Sequence, residues 1–392
     1  MSFRFDHQTW AQVRFGDLVR HVTDRVDPEN SGLTRYLAGE HIQSKSLHVQ
    51  NWGTVGDGYL GPAFYKRFMP QHVLYVSRRT YLRKVAVPDF SGICGEKTFV
   101  LESNDQNVLL QSFIPVIMWS ERFHQYAITQ SRGSVNPYLN WTELADYKFF
   151  LPPRVLQEKI SNLFWATEED RRAAVGLHDS AGHYLRQIRR HLFGKGPMTT
   201  ADNVFDITIG RQRSPAREGK GVRRRYLRAA NVKDGFLLME DLNEMDFTDE
   251  EMRRLELQPG DVLVTEGCGS PEQLGAAAAL SDEQWMPGLS FQNTLLRYRS
   301  LPDVTTQRFV YHWARYAFTE ELFRNIASGT GILHIGVQRA RKMSVHCLSL
   351  DEQVRSISIL DKAEIAVEAS LRRADAASGI LHELSTAVSG MC

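Results

Sequence analysis

The chain repeats itself at a long period. Gly92 and Thr98 return as Gly288 and Thr294, Gly133-Ser134 as Gly329-Thr330, Gln157 as Gln353 and Phe193-Gly194 as Ser389-Gly390, all offset by 196. With small gaps, Tyr36-Leu37 followed by Ile42 answers Tyr226-Leu227 followed by Val232, and Pro70-x-x-Val73-Leu74 answers Pro259-x-x-Val262-Leu263. Such a period is too long for a solenoid and suits a duplicated domain pair. A 392-residue chain built this way forms two related halves, each long enough to bury its own core.

Each half has two parts. The first parts, 1–150 and 197–346, carry short apolar runs broken by turns. Examples are Val73-Leu74-Tyr75-Val76, Thr98-Phe99-Val100-Leu101, Asp261-Val262-Leu263-Val264 and Asn293-Thr294-Leu295-Leu296. Their length and β-branched content predict strands, whereas 109–128 and 306–327 read as helices. The second parts, 151–196 and 347–392, each read as one long helix. In 154–193 an alternating 3/4 spacing selects Ile160, Leu163, Thr167, Asp170, Ala174, Leu177, Ala181, Tyr184, Ile188 and His191. In 351–389 it selects Ile357, Leu360, Glu364, Val367, Leu371, Ala374, Ser378, Leu381, Ser385 and Val388. Seven of ten positions are apolar in each set, a coiled-coil pattern.

Pro152-Pro153 opens the first helix, Ser349 with Glu352 forms a capping box for the second, and Gly194 and Gly390 stand where left-handed caps are expected. About 40 residues span roughly 60 Å of helix, long for an ordinary core element. The predicted fold is mixed α/β (α+β): two tandem globular domains separated by two long antiparallel coiled-coil helices, related by pseudo-twofold symmetry like the ends of a dumbbell. Ile160, Leu163, Leu177 and Ile188 pair with Ile357, Leu360, Leu371 and Leu381. Thr167, Asp170 and Glu364 either set register or face solvent.

Composition narrows the class. No run approaches 18 uncharged apolar residues, so no membrane helix is expected. The opening MSFRFDHQTW has no apolar core and is not read as a signal peptide. Four scattered cysteines, Cys94, Cys268, Cys347 and Cys392, give no disulfide frame and no C-x-x-C pair, which suits a cytoplasmic protein. A balance of 47 Lys+Arg against 46 Asp+Glu excludes a purely electrostatic nucleic-acid binder, though not a local basic face.

Catalytic signatures fail one by one. Asn136-Pro137-Tyr138 imitates the loop of DNA amino-methyltransferases, but no Gly-rich strand–turn–helix accompanies it to hold S-adenosylmethionine. Asp89 with Glu96-Lys97 imitates a Mg²⁺-dependent nuclease, but adjacent residues of a strand point to opposite faces. No phosphate-cradling GxxxxGK[ST] and no H-E-x-x-H occur. No catalytic or metal-binding residue is therefore assigned.

Charge is concentrated in 211–233. Arg211, Arg213, Arg217, Lys220, Arg223, Arg224, Arg225, Arg228 and Lys233 face one acid, Glu218, a net of +8. Gly210, Gly219, Gly221 and Pro215 make this segment a predicted loop, suited to following phosphates, with Arg forks and Gln212 left to read base edges. The competing expectation pairs it with the acidic run Glu240–Glu256. A weaker basic set in the first half comprises Lys66-Arg67, Arg78, Arg79, Arg83 and Lys84. A polar loop precedes each long helix: Arg132, Ser134 and Asn136 in one, Thr330, His334, Gln338 and Arg339 in the other. These basic and polar residues, apart from Lys66, Arg67 and Lys233, are candidate DNA contacts, and the glycines among them otherwise form tight turns.

The organisation resembles the DNA-specificity (S) subunits of type I restriction–modification systems. The resemblance rests on the repeat, on Gly133-Ser134 followed by LNWTELADYKFFLPPRVLQEKI at 139–160, and on LPPRVLQ (151–157) and CLSLDEQ (347–353) at the helix entrances, the second without prolines. Trp10-x-x-Val13-x-Phe15-Gly16-Asp17-Leu18, PGDVLV at 259–264, GRQRSP at 210–215 and YLRAANV at 226–232 also match. It covers essentially the whole chain. It implies a non-catalytic subunit with target-recognition domains at 1–150 and 197–346 and spacer helices at 151–196 and 347–392. Each domain is expected to read half of a bipartite site on double-stranded DNA. Expected partners are methyltransferase (modification) subunits, two of them, and ATP-dependent restriction subunits. S-adenosylmethionine, ATP and Mg²⁺ belong to those partners. The alternatives are a stand-alone DNA methyltransferase or nuclease, and a scaffold that docks methyltransferase subunits without reading DNA.

Overall fold

The computed structural model describes residues 10–389, with the side chains of Arg217 and Ser389 outside the description. Among these residues the chain forms two compact units. One holds Trp10–Val175 and Leu371–Ser389, the other Gly176–Ser370, so both long helices contribute to both units.

In the first unit, Val73–Val76 is buried at all four positions, as an apolar run closed by polar turns should be in a central strand. It lies in an antiparallel sheet ordered Val19–Val22, Thr98–Ser103, Val73–Val76, Val85–Ala86. A second sheet is ordered Gly53–Thr54, Arg35–Leu37, Gly92–Gly95, Phe64–Phe68, with Tyr36 beside Ile93 in a parallel pair. A ribbon of Ala11–Arg14 and Lys148–Leu151 leads to the central helix, Arg154–Phe193. The predicted helix 109–128 is two helices, Ile114–Trp119 and Glu121–Thr129. They break at Ser120, which is extended and caps the second by accepting from the Phe123 amide at 3.2 Å.

The second unit repeats this plan. Its main sheet is ordered Phe205–Ile209, Leu295–Ser300, Val262–Thr265, Ala277–Ala279. Tyr226 lies parallel to Ser290, as Tyr36 does to Ile93. Met198–Thr200 pairs with Ser344–His346 ahead of the C-terminal helix, Leu350–Ser389. The predicted helix 306–327 is Gln307–Thr319 followed by the short Leu322–Asn325.

Both long helices form, and they run antiparallel within each unit. Ile160 and Phe164, near the start of one, share a core with Leu381, Leu384 and Val388, near the end of the other. In the second unit Leu185, Ile188 and Phe193 meet Ile357 and Leu360. Ile160, Ile188, Ile357, Leu360 and Leu381 thus sit where the pairing expected them. Leu163, Leu177 and Leu371 do not: they are 41%, 56% and 47% exposed. The central-helix seam is shifted by one residue at alternate contacts, through Phe164, His178 and Leu185. Leu163-Phe164 and Tyr184-Leu185 offer apolar side chains at both phases, and the larger Phe164 packs edge-on against Trp119. Near Leu371 the seam uses buried Ser370, Ala374 and Ala377, and one residue further is about 100° around the helix.

The polar seam positions divide. Thr167 bonds back to Leu163 O at 2.8 Å, Asp170 forms a half-exposed ion pair with Arg373, and Glu364 is buried. Gly194 does not take the left-handed cap conformation. Gly196 does, with φ +91°. Gly390 lies outside the described residues.

Candidate nucleic-acid interface

The basic segment of the second unit is not one loop. Val222–Leu227 is a strand, antiparallel to the acidic Asn243–Phe247, with Arg223 opposite Asp246 and Arg225 opposite Glu244. Opposite charges across an antiparallel pair favour that register, and this overrides the flanking glycines. Arg223 Nε lies 3.1 Å and Arg225 Nε 3.9 Å from the Glu244 carboxylate. Arg228 pairs with Asp241.

Arg211 is buried, with Nε 2.9 Å from Glu251 and its guanidinium over the Phe247 ring. It is therefore a structural cation, and its assignment as a DNA contact is corrected. The expectation that the acidic run neutralises part of the charge holds for these arginines. Gln212, Arg213, Lys220 and Arg224 are exposed, and none makes an ion pair among the described residues. Lys220 lines an open cleft of about 780 Å³ with Thr248, Glu250, Arg253 and Arg254. The Arg217 side chain lies outside the described residues.

In the first unit two loops meet. Arg79, with φ +52°, donates from Nε to Asn136 Oδ1 at 2.8 Å and from its amide to Pro137 O. Arg78 and Arg132 both bridge to Tyr138, and Arg132 reaches Glu143 at 2.5 Å. Ser134 is exposed beyond Gly133, whose φ of +92° the turn requires. Arg78, Arg79, Arg132 and Asn136 are exposed, and Lys97 lies 5.6 Å from the Tyr138 ring. In the sequence Lys97 and Tyr138 stand out only as parts of failed catalytic motifs, not as members of this cluster.

Arg83 and Lys84 are held elsewhere. Arg83 grips Glu121 through two bonds of 2.5 and 2.6 Å, and hydrogen bonds from Arg83 and Gln125 hold the Glu121 carboxyl at about 2. Lys84 donates to Gly39 O, and burial lowers its pKa. Both fasten the fold and are corrected as DNA contacts. Glu96 and Lys97 pair with each other at 2.7 Å in a turn beyond the strand Gly92–Gly95.

The same frame recurs in the second unit, offset by 196 in the loop and by 189 at the strand end it pairs with. Arg132 bridges Tyr138, and Ser328 bridges His334. Leu139 donates to Ser77 O, and Ile335 to Glu266 O. Gly329, with φ +145°, turns the loop as Gly133 does. The chemistry on the frame differs. Where the first unit has Arg78, Arg132 and Asn136, the second has Gly267, Ser328 and Ile332. Thr330 and Gln338 are exposed. Arg339 donates to Ile335 O and His334 O, both at 2.8 Å, and so braces the loop.

One group has the donors for a cation. His312, Asp361 and Glu364 bring ligand atoms within 4.8 Å of one another. Arg189 and Arg315 already hold Glu364 at 3.1 and 2.5 Å, and Arg308 pairs with Asp361. Burial opposes the Asp361 charge, yet hydrogen bonds from His312 and Arg308 keep its carboxyl at about 2. This is a buried ion-pair network with its carboxylates occupied by arginines. No described helix is long and apolar enough to cross a membrane.

No family model matches the chain. The type I restriction enzyme EcoDI specificity subunit of Escherichia coli is 23% identical over 151 residues, 38% of this chain; the match spans about a third of that protein's length. The S subunit of a type I restriction–modification system from M. genitalium superposes with a TM-score of 0.64 at 12% identity, over 100% of this chain and 99% of its own. A chain from a structure of complex assembly and conformational transition in a type I system gives a TM-score of 0.56 at 17% identity, over 99% of both chains. The duplicated plan, the antiparallel helices and these superpositions agree: the chain has the fold of the type I restriction–modification S subunits.

Proposed function

We propose that the chain is the sequence-reading, non-catalytic subunit of a cytoplasmic type I restriction–modification complex. Its target-recognition domains, 1–150 and 197–346, each read one half of a bipartite duplex site. The helical segments 151–196 and 347–392 act as spacers. The observation that carries this reading is the loop frame closed by Arg132–Tyr138 in one unit and Ser328–His334 in the other. One backbone scaffold used twice with different side chains is what recognition of two unlike half-sites requires. Exposed Arg78, Arg79, Arg132, Arg213, Lys220 and Arg224 supply phosphate contacts, which fix position without reading sequence.

The proposed partners are two methyltransferase subunits and ATP-dependent restriction subunits, with S-adenosylmethionine, ATP and Mg²⁺ bound by them. The test is selection from random duplexes by the full-length chain co-purified with a methyltransferase encoded beside it. A split motif with a fixed gap is the expected result. No enriched motif, or methyl transfer by this chain alone, overturns the proposal.

A further inference from the structure

Glu266 has no counterpart in the first unit. The equivalent position is Ser77, whose hydroxyl and amide both donate to Lys97 O. Glu266 is buried, and its two carboxylate oxygens have separate tasks. Oε1 accepts from the Gly336 amide at 3.1 Å, and Oε2 lies 2.9 Å from His334 Nδ1. Gly267 pairs with His334 across a short ladder, and a Cβ there would stand 2.4 Å from His334 Nδ1. The missing side chain at 267 is the space the imidazole occupies. In the first unit that position is Arg78, opposite Tyr138.

We propose that His334 is a base-reading residue of the second domain and that Glu266 is its positioning residue. This rests on the reading of the chain as a DNA-recognition subunit and names one contact within it. A carboxylate only accepts, so Nδ1 carries the proton of that bond. In the neutral ring Nε2 is then left as an acceptor. The side chain is half exposed, and Nε2 is the ring nitrogen that does not face Glu266. An acceptor in the major groove matches an exocyclic amino group, adenine N6 or cytosine N4. The loop itself is fixed: Ser328 and His334 exchange backbone bonds of 2.9 and 3.0 Å, and Arg339 braces the His334 carbonyl.

Glu266→Gln gives the sharpest test. The Gly336 amide needs an acceptor, so the glutamine must turn its oxygen there and its NH₂ toward His334. Nδ1 then accepts, and Nε2–H becomes a donor. The experiment is motif selection from random duplexes by the full-length chain with its co-purified methyltransferase, using the unaltered chain, His334→Ala, Gly267→Ala and Glu266→Gln. Thermal melts confirm that each variant is folded.

His334→Ala and Gly267→Ala are each expected to lose about ten-fold discrimination at one base pair of one half-site. The other half-site stays unchanged. Glu266→Gln is expected to move that preference toward an acceptor edge, guanine O6/N7 or thymine O4. Unchanged motifs in folded His334→Ala overturn the inference, as does a uniform loss of affinity across all sequences. A Glu266→Gln motif identical to the unaltered one overturns the positioning role. Failure of the unaltered chain to select any motif overturns the DNA-reading function itself, a distinguishable result.

Discussion

Gln157 and Gln353 make the same three hydrogen bonds in the two units. Gln157 accepts from the Leu110 amide and donates to Val108 O and Pro152 O, at 2.9–3.0 Å. Gln353 accepts from Thr306 and donates to Val304 O and Leu348 O, all at 2.9 Å. Every partner pair is offset by 196, so a repeat visible as residue identities is also a repeat of buried backbone satisfaction. Each glutamine ties the start of a long helix to the loop ahead of the domain's buried helices.

Replacing either glutamine by leucine leaves one amide and two carbonyls without their side-chain partner. Each unsatisfied buried group costs about 1–3 kcal/mol, and partial relaxation brings the net to about 3 kcal/mol. Urea denaturation of Gln157→Leu and Gln353→Leu should show similar losses. Because the two share no partners, the double variant should lose close to the sum.

The repeat makes this pair legible in the sequence, because glutamine stands at the same place in both helix entrances. The long helices are legible for a related reason: forty residues of 3.5-spaced apolar pattern leave few folds. The exact seam is not. Where Leu163 precedes Phe164, hydrophobicity fits both phases, and packing on Trp119 decides. The basic segment is legible as charge, but which arginines are committed is not. Arg211 and Arg213 look alike in sequence, and only the position of Glu251 makes the first a structural cation. Glu266 carries a usable signal: once His334 is aligned with Tyr138, the carboxylate after the strand is conspicuous against Ser77.

Committed and exposed arginines should separate in mutation. Arg211→Ala removes a buried guanidinium from beside Glu251 and from over the Phe247 ring, and should cost about 2 kcal/mol of stability. Combined Arg213→Ala, Lys220→Ala and Arg224→Ala should leave the melting curve unchanged. It should weaken DNA binding and reduce the slope of log affinity against log salt by about one for each phosphate no longer neutralised. Unchanged affinity and slope, with methyltransferase docking intact, would favour a scaffold over a reader.

The two charged seam sites should differ as strongly. Glu364 accepts from Arg189, Arg315 and Tyr311 inside the second unit. Glu364→Ala leaves buried Arg189 without its carboxylate, although Arg315 keeps Asp234, and should cost about 3–5 kcal/mol. Asp170 pairs with Arg373 at the surface of the first unit, and Asp170→Ala should cost less than about 1 kcal/mol. Parallel urea titrations of the two variants check the contrast.

The first unit also carries an acid-sensitive group. Burial, reinforced by the Arg83 cation, pulls His124 down to about 4, and its Nδ1 has no hydrogen-bond partner among the described residues. In the unfolded chain the ring titrates near ~6.5. Between these values the unfolded state binds more protons, so stability rises with pH. The contribution is present above about 6.5 and is lost as pH falls toward about 4. Its upper bound is about 3 kcal/mol. Glu121, held at about 2, acts in a lower window, losing its contribution only as pH falls below the usual carboxylate range. Melting curves between pH 7.5 and 4.5 should therefore fall less steeply for His124→Phe than for the unaltered chain, whose slope His124 helps to set. Equal slopes would show that His124 is protonated as readily in the folded unit as outside it, against the burial that holds it neutral.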